Sequence, residues 1–104
     1  MDPLIRKCDD VAELLKLLAH GQRLKILCLL SDSEQAVGRI TAACGVSQSR
    51  VSQFLGKLKS EGLVSARRDG KFVYYRICDA RARNLIRALR RLYSKQLSED
   101  CDRL

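Results

Sequence analysis

The chain has 104 residues, 46% of them hydrophobic, and a formal net charge of +8, which fits one globular domain that buries roughly 65% of its unfolded surface and leans on a partner subunit for part of its stability. The longest aliphatic run, Ile26 to Leu30, is too short to span a bilayer and the charged stretch Met1–Asp10 has no apolar core, so a cytoplasmic protein without a membrane partner is expected. One histidine, no clustered carboxylates and no Gly-rich phosphate loop leave no constellation for catalysis.

A first helix is predicted over about Pro3–Ala19, with Asp2 as cap and a stripe of Leu4, Val11, Leu14, Leu15 and Leu18. His20-Gly21 breaks it, and His20 there suits capping or packing better than ligation. A second helix, about Gln22–Ser31, is apolar on nearly all sides and reads as the central core helix. A third, about Val37–Cys44, buries Val37, Ile40 and Cys44 and ends at Gly45. Three residues on, Ser47 caps a fourth helix in which Val51, Phe54, Leu55 and Leu58 form the apolar stripe.

The other face of that fourth helix is polar. Gln48, Ser49, Arg50, Ser52 and Gln53 stand where side chains enter a major groove, and Gln and Arg can make paired hydrogen bonds to purine edges. After Gly62, Leu63–Arg67 and Phe72–Ile77 read as a β-hairpin around Arg68-Asp69-Gly70-Lys71, with Asp-Gly as the turn pair. Its basic tip makes a wing for the phosphate backbone; Ser47, Lys57, Arg67, Arg68 and Lys71 are the expected backbone contacts. Charge agrees, since residues 50–104 hold 14 basic and six acidic side chains while residues 1–49 hold six of each.

Asp79 can cap a last helix, about Ala80–Leu97, whose stripe has little core left to cover. Leu4 and Val11 of the first helix, with Leu85, Leu89, Leu92 and Tyr93 of the last, form the expected dimer seam. The fold class is therefore mainly α with a β-hairpin wing: a single winged helix-turn-helix domain over residues 1–104, homodimeric through helices 3–19 and 80–97. Such a dimer expects double-stranded DNA with a dyad-symmetric operator as its partner. A protein-binding winged helix without an inducer, its basic half meeting an acidic partner, is the other function class these features allow.

Leu17-Leu18-Ala19-His20-Gly21-Gln22-Arg23-Leu24-Lys25-Ile26-Leu27, then Val46-Ser47-Gln48-Ser49-Arg50-Val51-Ser52-Gln53-Phe54-Leu55, then Glu61-Gly62-Leu63-Val64 and the Arg-rich hairpin resemble the ArsR/SmtB family of bacterial dimeric repressors, over about residues 10–95. The resemblance implies a winged helix-turn-helix dimer that leaves DNA when an inducer binds. Phe54 stands where the family often has His. Metal-sensing relatives carry Cys-Val-Cys at the third helix, where this chain has Ala36-Val37-Gly38, and others carry Asp, His and Glu along the last helix, where this chain has no His. Neither a metal site nor a cofactor is expected there.

Five cysteines, at 8, 28, 44, 78 and 101, include no Cys-x-x-Cys pair and read as free thiols. Arg23–Leu30 is similar to the HlyU/BigR-type thiol sensors, whose second-helix Cys pairs with a Cys near the end of the last helix. This implies a cysteine-based redox or sulfane-sulfur switch at Cys28, with a small inducer acting on thiols. The matching partner position, after Tyr93, is Ser94. Cys101 lies seven residues further on, so three outcomes stand: the terminal segment folds back, Cys28 pairs with Cys8, or the switch is lost. Cys44 reads as core. Cys8 and Cys101 near opposite ends leave a terminal arsenite or thiophilic-metal site as the alternative.

Overall fold

A computed structural model describes residues 2–103, with side chains through Ser94. The elements in chain order are α1 (Pro3–Arg6), α2 (Cys8–Leu18), α3 (Gly21–Leu30), β1 (Gln35–Ala36), α4 (Val37–Cys44), α5 (Gln48–Ser60), β2 (Val64–Asp69), β3 (Phe72–Ile77) and α6 (Ala80–Arg103). The winged helix expected from the sequence is what the chain forms.

α3 lies at the centre. Ile26 and Leu27 are fully buried and Leu30 nearly so, packed with Ile40 and Cys44 of α4, Val51, Leu55 and Leu58 of α5, and Ala82 and Ile86 of α6. Each of these helices brings one apolar stripe to α3, and their polar faces stay outside. Gly45, at φ +70, ends α4 in the left-handed conformation that turns the chain toward α5.

The predicted first helix is divided. Lys7, at φ −102 and ψ 5, separates α1 from α2. Leu4 and Ile5 are 60% and 59% exposed, so no core in the protomer holds this turn in line with the next. The last helix runs on past the expected end at Leu97, to Arg103.

The wing also differs from expectation. β1 joins it, giving a three-stranded antiparallel sheet in the order β1-β3-β2, with Gln35 opposite Tyr75 and Ala36 opposite Tyr74. Two residues carry no period, which is why the sequence pattern does not reveal this strand. Asp69 pairs with Phe72 at the end of the ladder, so the turn pair is Gly70-Lys71 rather than Asp69-Gly70. Gly70 has φ +62 and no residue other than glycine has positive φ among the described residues. Glycine at the first central position is the type II′ arrangement, whose twist matches that of the strands.

Asp79 caps α6 as expected. Its Oδ1 accepts from the N–H groups of Arg81 at 2.8 Å and Ala82 at 3.2 Å, and the Arg81 guanidinium reaches Oδ2 at 3.1 Å. That guanidinium, then the backbone N–H groups, hold the Asp79 carboxyl below the usual carboxylate range despite partial burial. A lowered folded-state pKa stabilises fully above the unfolded-state value and loses that stability as pH falls through the folded one. Asp79→Ala is expected to cost roughly 1 kcal/mol at neutral pH. Thermal melts taken stepwise into the acid range should show this difference shrinking as the wild-type carboxyl protonates.

Candidate nucleic-acid interface and thiol site

Ser47 opens α5 with its Oγ accepting the Arg50 N–H at 3.3 Å. From there the helix divides as its period requires: Val51, Leu55 and Leu58 point into the core, while Gln48, Ser49, Arg50, Ser52, Gln53 and Lys57 are exposed. A partly buried ion pair fixes the far end. Arg23 donates through Nη1 to the Leu17 carbonyl at 3.0 Å and lies 3.5 Å from Glu61 Oε2, the two side chains being 17% and 20% exposed. Glu61 is the C-terminal cap of α5, so one arginine ties the ends of α2 and α5 to α3. The orientation of the polar face is thereby set by the core on one side and by Arg23 at the end.

Phe54, predicted in the apolar stripe, is half-buried at its edge. Its ring packs against His20 with centroids 5.2 Å apart, and the Arg50 guanidinium lies 5.7 Å above it. His20 also caps α3, its Nδ1 accepting from the Gln22 N–H at 3.3 Å. The histidine therefore packs and caps, as its turn position predicts.

The helix and the wing meet at a cleft of about 360 Å³ lined by Gly38, Gln48, Ser52, Lys71, Phe72 and Val73 among others. It brings two predicted base-reading residues onto the same opening as a predicted backbone contact. Arg68 and Lys71 are exposed. Lys71 stands 5.9 Å from the Phe72 ring, and that ring is 54% exposed beside the tip. Phe72 belongs to this surface, and nothing in its alternating strand pattern sets it apart from a packing residue.

Arg67 is engaged within the protein. Its Nε donates to Glu34 at 3.2 Å, a terminal amine bonds the other Glu34 oxygen, and the guanidinium covers the Tyr74 ring at 4.7 Å. The bond to Arg67 holds Glu34 below the usual carboxylate range and raises Arg67. The pairing spans 33 positions and depends on β1 joining the sheet, so a reading that lacks β1 cannot find it.

Cys8, Cys28, Cys44 and Cys78 are free thiols. Cys44 is buried, and burial pushes its thiol up, so it stays protonated as a core side chain. Cys8 and Cys78 are exposed; their sulfurs donate to the carbonyls of Leu4 at 3.3 Å and Gly62 at 3.4 Å. Cys28 is different. It faces two apolar cavities, of about 300 and 500 Å³, and the smaller is lined also by Leu24, Leu89, Arg90, Tyr93 and Ser94. Arg90 reaches over from α6 and donates through Nη2 to the Cys28 carbonyl at 2.6 Å and to Ser31 Oγ at 3.1 Å. Ser31, only 2% exposed, donates in turn to that carbonyl at 2.9 Å. The backbone at Cys28 is thus bonded to the last helix. Sequence alone does not single out Arg90 from the other basic residues of α6.

Among the described residues no three His, Cys, Asp or Glu side chains stand together as a metal site, and no helix is long and apolar enough to cross a membrane. The side chain of Cys101 lies outside the described residues.

Residues 20–66 match the family described as bacterial regulatory protein, arsR family. Over 91 residues the chain is 37% identical to the biofilm growth-associated repressor of Xylella fastidiosa, covering 88% of this chain and 80% of that protein. The chain belongs to the arsR family. Among solved structures, reduced HlyU from Vibrio cholerae N16961 has a TM-score of 0.80 at 34% identity, covering 89% of this chain and 98% of that one. The homodimeric winged helix-turn-helix DNA-binding domain of Mb0332 from Mycobacterium bovis has a TM-score of 0.71 at 38% identity, with 95% and 92% covered. This arsR-family chain is accordingly a winged helix transcriptional regulator and not an enzyme.

Proposed function

We propose that the chain is a homodimeric repressor whose two α5 helices read a dyad-symmetric operator and whose release signal acts at Cys28. The observation that carries the reading is the bond from Arg90 to the Cys28 carbonyl, which places a thiol beside a cavity at the contact between the core helix and the expected dimer helix. Leu4, Ile5, Leu15, Leu92 and Tyr93 are between 47% and 61% exposed in the protomer. Together with half-buried Val11, Leu85 and Leu89 they supply the apolar seam that a twofold partner would cover. The names of the relatives support repression and pairing: one is a repressor and another a homodimeric DNA-binding domain.

Gln48, Ser49, Arg50, Ser52 and Gln53 are assigned to bases, and Ser47, Lys57, Arg68 and Lys71 to phosphates. Arg67 keeps its assignment only by exchanging Glu34 for a phosphate, so it should contribute less than Arg68 or Lys71. A sulfane-sulfur donor of the hydropersulfide class would transfer one sulfur to the Cys28 thiolate, forming a persulfide as the donor leaves as its thiolate. The enlarged side chain, or a disulfide formed when the Cys8 or Cys101 thiolate attacks the Cys28 sulfur of the persulfide and expels hydrosulfide, would press on Leu89 and Tyr93 and repack the dimer helices. Along a continuous α6, Cys101 stands about 10 Å beyond Ser94, so an intramolecular bridge to it requires the helix end to bend.

The test is operator affinity by fluorescence anisotropy before and after treatment with such a donor, with intact mass locating the modification. Binding should weaken at least tenfold in the wild type and stay unchanged in Cys28→Ser. Equal loss in both proteins, or no loss in either, would contradict the switch.

A further inference from the structure

A second polar cavity, of about 250 Å³, sits at the base of the wing, lined by Ser31, Asp32, Glu34, Arg76, Arg83 and Arg87 among others. β3 supplies Arg76. α6 supplies Arg83 and Arg87, four residues apart and so on one helix face, where like charges repel. Positive charge is in excess: Arg67 occupies Glu34, Asp32 is the one other carboxylate of the lining, and Arg76, Arg83 and Arg87 make no ion pair among the described residues. Arg76 spends its Nε on Ser65 Oγ at 3.2 Å, which leaves its terminal amines free of that bond. Arg83 Nε is buried with no hydrogen-bond partner. A buried guanidinium N–H without an acceptor is costly, and three guanidinium groups on one opening call for an anion able to take several N–H bonds.

We infer that this cavity binds a phosphate-class oxyanion through Arg76, Arg83 and Arg87. Such an ion satisfies Arg83 Nε, relieves the repulsion along α6 and accepts forked pairs from the exposed arginines. Arg76 lies four residues from Phe72, roughly 13 Å up the strand from the tip, so the cavity is separate from the cleft beside α5. It joins the α3–β1 loop, the wing and α6, and occupancy links the wing to the helix that carries the proposed dimer seam. Two sources offer this chemistry: a free oxyanion in solution, or a backbone phosphate of DNA flanking the operator.

The test uses the full-length reduced protein in phosphate-free buffer, titrated in a calorimeter with inorganic phosphate and with pyrophosphate. The same titrations are made on Arg76→Gln, Arg83→Gln and Arg87→Gln, with far-ultraviolet circular dichroism as the fold control. Arg76 and Arg87 are exposed, so these two variants keep the test valid should Arg83→Gln fail to fold. Saturable binding weakened at least tenfold in the variants assigns the cavity to a free oxyanion, and this arm contains no DNA and stands apart from the operator reading. No free-anion binding, but a salt slope on DNA reduced by about one in each variant, assigns it to a backbone phosphate. Anion binding that the variants leave unaltered, or neither effect, overturns the inference.

Discussion

Arg50→Ala should leave the protein folded and lower its discrimination at one operator base pair by about 1–3 kcal/mol, roughly five- to 150-fold in relative affinity. The side chain is exposed in the first turn of α5, where its backbone N–H is already used by the Ser47 cap. Only the guanidinium is free to act, and it rests over the Phe54 ring at 5.7 Å. This contact holds a flexible side chain above the reading face without taking its hydrogen bonds, so moving to a purine edge loses little. Lys71→Ala provides the contrast. A phosphate contact at the wing tip should weaken binding alike on matched and altered duplexes and lower the salt slope by about one. Anisotropy titrations of both variants on both duplexes, repeated across salt concentrations, separate the two roles. Identical behaviour of the two variants would remove the division between reading helix and wing.

The second large effect is expected in the core. Leu55→Ala should destabilise the protein by about 2–5 kcal/mol, because Leu55 is fully buried where α5 packs on the central helix and the start of the wing. Gln53, two positions earlier on the exposed face, should tolerate Ala within about 0.5 kcal/mol. Chemical denaturation at a fixed protomer concentration measures both, since a dimer's stability depends on concentration. A small cost at Leu55 together with a large one at Gln53 would mean that the helix is turned the other way round and that its polar face is not a reading face.

Much of this architecture is legible in the residues themselves. The stripe of Val51, Leu55 and Leu58, the Ser47 cap and the Gly45 stop fix α5 locally, and Asp79 marks the start of α6, because caps and periodicity act over one turn of helix. Long-range pairing is what the pattern lacks. β1 is two residues long and exists only because Tyr74 and Tyr75 of β3 accept it as a neighbour; Glu34 then meets Arg67, and a residue expected on phosphate is found in an internal ion pair. The break at Lys7 escapes for a related reason. The stripe through Leu4, Val11 and Leu15 has helical spacing, but in the protomer much of it meets no core, so spacing alone does not hold one straight helix. Cys28 was legible as a position, whereas Arg90 and Ser31, which bond its carbonyl, are ordinary in sequence and become distinctive only when α6 crosses α3.

Selection of bound duplexes from a random library by the reduced full-length protein tests the central claim most directly, for it presumes no operator. Two reading helices related by a twofold axis should enrich an inverted repeat whose half-site centres lie about one helical turn, 10–10.5 base pairs, apart or at a multiple of that spacing. Enrichment of a single unrepeated site, of a direct repeat, or of no sequence at all would contradict a dyad-reading repressor.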